Sequence, residues 1–268
     1  MKLMQYIIFD LEWNQCPAGK EKENTRLPFE IIEIGAVKTD ENLQIIDRFS
    51  STVSPRIYRQ LHYKVREMSS LTAKDLQDSP GFKTVVTQFL NWCGTNYRFC
   101  TWGSLDIMEL QRNMQFFKIK HRFEMPLIYY DIQKLFNLSI GGDKQLLSSL
   151  SHAIEYLGLP TCGEFHRALS DAEYTLEVMR HMDFAKWSSY YSIDCYYAPS
   201  NRQDEIFVHF PTYSKFISRK FSTKERALLD EELKLMRCHT CGQPMQIKIP
   251  WFSDNAKLYY GAACCKSH

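Results

Sequence analysis

The sequence predicts an α/β fold, with a mixed five-stranded sheet flanked by helices and a small C-terminal module that looks like a zinc ribbon. Three observations lead there. Strand-like segments come first, and helical segments then alternate with strands. The first run, Tyr6-Ile7-Ile8-Phe9-Asp10-Leu11-Glu12-Trp13, is apolar enough for the middle of a sheet yet carries two acids at its C-terminal end. The last segment, residues 237–268, sets Cys238 and Cys241 against Cys264, Cys265 and His268.

Bulk numbers bound the reading. The chain has 268 residues, room for one large domain with an appendage. It is 44% hydrophobic and 24% charged, as soluble globular proteins are. The formal charge of +2 does not by itself indicate a nucleic-acid binder. Nine cysteines, an odd number in a chain of this size, argue against a secreted disulfide scaffold and for metal binding where they cluster. Lys2 is followed by only seven uncharged residues before Asp10, too few for a signal peptide, and no long apolar run occurs elsewhere. The expected setting is reducing and cytoplasmic.

The elements follow in order. Residues 14–28 are polar, hold Pro17, Gly19 and Pro28, and read as a loop. Residues 29–37 and 43–49 alternate as strands around Thr39-Asp40-Glu41-Asn42, a hairpin that makes a meander with the first strand. Residues 56–78 are mixed, and basic at first through Arg56, Arg59, His62, Lys64 and Arg66. Ser79-Pro80 opens an amphipathic helix through Phe82, Val85, Val86, Phe89, Leu90 and Cys93. A fourth strand, residues 97–102, is broken by Gly103, after which Ser104 can cap a helix carrying Asp106. Residues 125–132 read as a fifth strand, 145–157 as a helix stopped by Gly158 and Pro160, and 166–187 as the last long helix. This domain is expected to end near residue 187. Residues 188–236 form a connecting segment that is tyrosine-rich at first and then basic through Lys215, Arg219, Lys220, Lys224 and Arg226. Such a cluster is a solvated face or a nucleic-acid contact.

The acids carry the chemistry. On a strand, Asp10 and Glu12 point to one face because side chains alternate. Carboxylates there are costly to bury unless a cation lies between them. Asp106 follows a strand end, where α/β sheets place their sites. His166-Arg167-Ala168-Leu169-Ser170-Asp171-Ala172 puts an acid in the first turn of a helix, with Ser170 and Glu173 as a candidate capping box and His166 in the loop before it. Read singly, Asp106 and Asp171 are also what a helix dipole favours.

Together these segments resemble the DEDD exonuclease superfamily, of the subtype with a histidine in its third motif (DEDDh): Asp10-Leu11-Glu12, then Asp106, then His166 and Asp171. The segment Phe29-Glu30-Ile31-Ile32-Glu33-Ile34-Gly35-Ala36-Val37 is similar to the group of enhanced-RNAi and histone-mRNA 3′-end exonucleases, to which bacterial KapD-like proteins belong. The resemblance covers about residues 1–187 and implies a ribonuclease H-like fold. It implies a 3′-5′ exonuclease using two Mg²⁺ or Mn²⁺ ions, with Asp10, Glu12 and Asp171 on the first, Asp10 and Asp106 on the second, and His166 as general base. It also implies nucleic acid with a free 3′ end as substrate, RNA favoured over DNA, with main-chain groups at Leu11 and Trp13 against the terminal nucleotide. Trp13 is equally a core tryptophan by composition. An inactive nucleic-acid-binding adaptor on the same fold, or a DNA proofreading or repair exonuclease, are the alternatives. An inactive copy would be expected to have lost one of these five residues, and none is lost.

In the C-terminal module, Cys238-His239-Thr240-Cys241-Gly242 has the form of a zinc knuckle. Cys265 and His268 repeat the gap and complete a candidate Cys₃His site for structural zinc, with Cys264 as an alternative ligand. A hairpin over residues 245–260 joins the halves. A degenerate ribbon that holds its shape without metal is the competing reading. Cys16, Cys93, Cys100, Cys162 and Cys195 are scattered and read as core or incidental.

Overall fold

A computed structural model describes residues 4–120, 123–141, 149–160, 166–253 and 258–268. Cys162, the start of the helix expected over 145–157, and the middle of the 245–260 hairpin lie outside them. The chain forms two compact units, Met1–Tyr196 and Tyr197–His268.

The first unit begins with β1 (Gln5–Gln15), β2 (Phe29–Thr39) and β3 (Ile45–Thr52). These pair antiparallel in sequence, so the meander is present. Two short helices follow, α1 (Tyr63–Met68) and α2 (Ala73–Gln77), in the stretch where no period was legible. Each is about a turn long, too short to show one, although Thr72 and Asp75 make a complete capping box for α2. Next come α3 (Phe82–Cys93), β4 (Tyr97–Thr101), α4 (Leu105–Phe116), β5 (Ile128–Asp131) and α5 (Ile132–Ser139). Then come α6 (Leu150–Tyr156), α7 (Ala168–Arg180) and α8 (Phe184–Trp187). The sheet has six strands, not five. Its sixth, β6 (Ser192–Ile193), is only two residues long and pairs antiparallel with β5 beyond residue 187. The order is β3-β2-β1-β4-β5-β6, with β1, β4 and β5 parallel to one another. It is a mixed α/β sheet with β1 central, as its apolarity requires.

β1 feeds two cores. Ile7, Phe9 and Leu11 join Ile31, Ile34, Val85, Phe89, Ile107 and Leu110 on the face covered by α3 and α4. Ile8 joins Val37, Cys100, Leu135, Ala172 and Leu176 on the face covered by α5 and α7. Asp10 and Glu12 share the parity of Ile8 and so emerge on the side of α7.

The last long helix is two pieces. α7 starts at Ala168, and its N-cap is Arg167, not Ser170. Glu33 on β2 displaces the local cap: its carboxylate accepts the Ala168 N–H at 3.2 Å and pairs with Arg167 at 2.9 Å. The end of α7 also lies directly on β2 at Gly35, where an added Cβ would be 2.0 Å from the Leu169 nitrogen.

The second unit contains a hairpin of β7 (Ile206–His209) and β8 (Ser214–Ile217), then α9 (Lys224–Leu228) and α10 (Glu231–Lys234). A second hairpin, β9 (Gln246–Phe252) and β10 (Tyr260–Cys264), ends it. Arg219 is tied to Glu205 and Asp230 at 2.6 and 2.7 Å, so it braces the unit. Lys215, Lys220, Lys224 and Arg226 of the same basic run are exposed.

The contact at Gly35 gives a stability test. Gly35→Ala forces a methyl into backbone that cannot swing aside, and should cost about 3 kcal/mol, the upper end of ordinary overpacking. Urea unfolding of Gly35→Ala beside the parent chain checks this, and an unchanged midpoint would mean that α7 is not seated as described.

Candidate active site

Four carboxylates and one histidine converge at the C-terminal end of β1. β1 pairs with β4 only from Gln5 to Ile8. Beyond that the β4 chain turns away at Thr101 and Gly103, the latter at φ 88°. The Leu11 N–H, left without a strand partner, donates instead to Asp106 Oδ1 at 3.1 Å. That bond fixes the first turn of α4 against β1 and brings Asp106 to Asp10. From the other side, α7 delivers Asp171. One oxygen each of Glu12 and Asp171 and one ring nitrogen of His166 lie within 4.8 Å of one another.

His166 is exposed and has φ 65°, a left-handed conformation uncommon outside glycine. Its N–H donates to Asp171 Oδ2 at 3.2 Å, which closes the turn and holds the ring beside the acids. Asp171 Oδ1 is buried and accepts no hydrogen bond. A carboxylate oxygen so placed is open to a proton or a hard cation.

The electrostatics agree. Burial, then Asp106, Glu12 and Asp171, raise Asp10 well above the usual carboxylate range. Burial, then Asp171 and Glu33, push Glu12 up to about 8, with Arg167 opposing. Asp106 is raised to about 7 by burial, against the pull of the Leu11 N–H. Asp171 is raised to about 6 by burial, against the His166 N–H. Acids so placed are satisfied by protons or by hard cations, and oxygen-only donors suit Mg²⁺ or Mn²⁺.

Leu11 has its side chain in the core and its N–H committed to Asp106. Trp13 is half-buried, and its ring lies 5.7 Å from that of Phe29. Sequence reasoning gave no role to Glu33, Gly35 or Arg167, which seat α7. Nor did it single out Asn14, buried beside the site, whose side chain holds Tyr58 O, Gln60 O and the His62 N–H. Glu30, equally buried, accepts the N–H groups of Arg56, Ile57 and Tyr58. Together they pin residues 56–62 to β1 and β2. A buried glutamate inside an apolar strand was the available signal for both Glu30 and Glu33.

In the second unit, Cys238, Cys241, Cys265 and His268 form a separate cluster with ligand atoms within 4.8 Å of one another. Cys241 and Cys265 sulfurs are 3.7 Å apart, and His268 Nδ1 is 3.8 and 3.5 Å from those of Cys238 and Cys265. A tetrahedral ion with bonds of about 2.3 Å to sulfur and about 2.0 Å to nitrogen requires edges of about 3.8 and about 3.5 Å. The donor set therefore fits zinc. Backbone N–H groups of Cys241 and Thr240 lower the Cys238 thiol, and that of Ser267 lowers Cys265, toward the thiolates a metal binds. Cys264 lies outside the cluster, on β10. Among the described residues, no helix is long and apolar enough to cross a membrane.

Known proteins resemble the first unit. A family model described as an exonuclease (RNase_T) matches residues 7–179. The "Probable 3′-5′ exonuclease KapD" of Bacillus subtilis is 30% identical over 170 residues, which are 62% of this chain and 78% of KapD. A PolC-type DNA polymerase III of Clostridium perfringens is 26% identical over 183 residues, 66% of this chain; the chain spans only 11% of that polymerase. The nuclease domain of 3′hExo, a DEDDh family member solved bound to rAMP, superposes with a TM-score of 0.59 at 21% identity. The match covers 72% of this chain and 97% of that one, and it shows the shared fold.

The raised acids fix a pH dependence. Protonated in the folded chain and already ionised in an unfolded one, they stabilise the fold in full only below about pH 4, where ordinary carboxylates titrate. That stabilisation is lost as pH rises through about 6, 7 and 8, the values of Asp171, Asp106 and Glu12. Without added Mg²⁺ or Mn²⁺, the melting temperature should fall from pH 5 to pH 8, less steeply in Asp171→Asn. Added Mn²⁺ should restore it most at the high end. A melting temperature indifferent to Mn²⁺ at pH 8 would contradict a cation site here.

Proposed function

The chain belongs to the exonuclease (RNase_T) family, and on that premise we propose that it is a metal-dependent 3′-5′ exonuclease, favouring RNA, that releases nucleoside 5′-monophosphates. The observation that carries this is the convergence of Glu12, His166 and Asp171, with ligand atoms within 4.8 Å of one another and Asp10 and Asp106 electrostatically linked to them. An inactive adaptor would have no use for so costly a cluster.

Asp10, Glu12 and Asp171 would hold one divalent cation, and Asp10 with Asp106 a second. Two such ions supply charge neutralisation at the phosphate and make a water more acidic. The chain's own residues do the rest. His166, exposed and tethered through its N–H to Asp171, takes the proton from the attacking water. Water then adds to phosphorus, and the 3′-oxygen of the upstream nucleotide leaves with the bonding pair. Trp13 and the main chain at Leu11 border the terminal nucleotide. The preference for RNA rests on the group resemblance and on the rAMP complex of 3′hExo. The PolC relative keeps DNA as the second reading.

A 5′-labelled oligonucleotide with Mg²⁺ or Mn²⁺ should shorten as a ladder from its 3′ end, and RNA should be consumed faster than matched DNA. Asp10→Ala or Asp171→Ala should lower release by about 10³-fold or more, since the ions do most of the electrostatic work. Immediate appearance of labelled mononucleotide, or near-normal release by both variants, would refute the assignment.

We also propose that Cys238, Cys241, Cys265 and His268 bind zinc structurally. All four positions are protein ligands, so no position is open for chemistry. So small a module draws much of its folding free energy from the metal. Protein purified without chelator should carry about one zinc per chain, as this four-ligand set would bind. Cys238→Ser should lose it and expose residues 237–268 to proteolysis, whereas Cys264→Ser should keep it. Well under half an equivalent in the parent chain would instead favour the metal-free ribbon.

A further inference from the structure

The β9–β10 hairpin is mostly exposed along both strands. Six of its large apolar side chains, Ile247, Ile249, Phe252, Leu258, Tyr259 and Tyr260, are exposed. The aromatics among them are 51%, 38% and 47% accessible at Phe252, Tyr259 and Tyr260. The Phe252 and Tyr260 rings lie 5.8 Å apart on paired strands. Trp251 lies against the paired strand, its ring within 3.3 Å of where a Cβ on Gly261 would stand. Apolar surface left in water along paired strands marks a binding face.

The charge around it identifies the ligand. Residues 197–268 hold 11 Lys and Arg against 7 Asp and Glu, a net +4 where the whole chain has +2. Lys248 lies exposed on β9 itself. Lys224 stands at the first turn of α9, with its Nζ 5.3 Å from the Tyr259 ring and 3.5 Å from the Trp251 carbonyl. The core of a protein–protein interface is depleted in lysine. Interleaved lysines and open aromatic rings suit a single-stranded nucleic acid, whose phosphates take the cations and whose unpaired bases stack on the rings.

We propose that the hairpin and the start of α9 form a second, sequence-tolerant site for single-stranded nucleic acid, with Phe252, Tyr259 and Tyr260 as stacking platforms and Lys224 and Lys248 as phosphate contacts. The proposal rests on the nuclease reading for its class of ligand. The site holds the strand independently of the carboxylates.

The test uses the full chain with Asp10→Ala, so that the probe survives. The probe is 5′-fluorescein-labelled single-stranded RNA of about 16 nucleotides, the upper end of single-strand site sizes. Binding is followed by anisotropy across a salt series. Phe252→Ala with Tyr259→Ala should weaken binding at least about tenfold with the salt slope unchanged. Phe252→Leu, which keeps the apolar bulk and loses the stacking face, should weaken it in the same direction. Lys224→Ala with Lys248→Ala should instead flatten the salt slope by about 1.4, at about 0.7 per phosphate contact. Zinc content and circular dichroism show which variants are folded. A blunt duplex of the same length should bind more weakly. Affinity and slope unchanged in folded variants, or equal binding of duplex, would overturn the proposal, and would leave the face to a protein partner. Binding that depends on these residues, in a parent chain that degrades nothing, would remove the nuclease reading and leave this one standing. Degradation by the parent chain with binding indifferent to them removes this one alone.

Discussion

Like charges at the exit of a central strand set the terms for the whole first unit. Burial raises the proton affinity of Asp10, Glu12, Asp106 and Asp171, and neighbouring carboxylates add to the effect. Such a cluster is destabilising by itself and is kept only where the surrounding structure holds it rigidly. Much of the framework does this. The sheet end leaves one amide for Asp106, α7 is clamped onto β2, and the turn at His166 is closed by the acid it serves. The cost of the cluster is offset by the two cores on either side of β1.

The seat of α7 is the second dependency. Asp171 and His166 are useful only if the helix start is fixed to within a fraction of an ångström. Three residues from two distant stretches of the sequence do this. Gly35 lets the helix approach β2, Glu33 accepts its first N–H, and Arg167 neutralises Glu33 and donates to Ser70 Oγ at 3.3 Å. Arg167 also tempers Glu12. One guanidinium thus links the helix start, the second strand, the α1–α2 connection and the charge balance of the site.

Legibility followed the length of the local signal. β1, β2, α3 and α4 could be read because each shows its period over several residues and its ends are marked by Gly, Pro or polar caps. The two-residue β6, the short α1 and α2, and the β7–β8 hairpin could not, since so few residues define no period. The expected cap at Ser170 was a correct local pattern outweighed by a distant partner, Glu33. Although Asp106 and Asp171 read singly are ordinary helix-start acids, the five proposed site residues were legible together through an order and spacing that resemble the DEDDh pattern. Their supports were not, because Asn14, Glu30 and Glu33 act through backbone groups that only the folded chain brings near. In the cysteine module, the knuckle spacing was visible, while the choice of Cys265 over Cys264 depends on which sulfur the bulged β10 strand turns inward.

The parity of β1 has a consequence for how this chain can vary. Odd positions Ile7, Phe9 and Leu11 enter one core, and even positions Ile8, Asp10 and Glu12 face the other side. A single-residue insertion or deletion between Ile8 and Glu12 would exchange the two sets. It would drive carboxylates among Phe89, Phe99 and Ile107 while turning large apolar side chains into the acidic cleft. Fold and chemistry are therefore written in one reading frame. The segment tolerates substitution by kind but no change of length, and a descendant that loses its frame here loses both at once. Loops such as residues 17–28, which join neither core although Leu27 is buried, are where this lineage is free to lengthen.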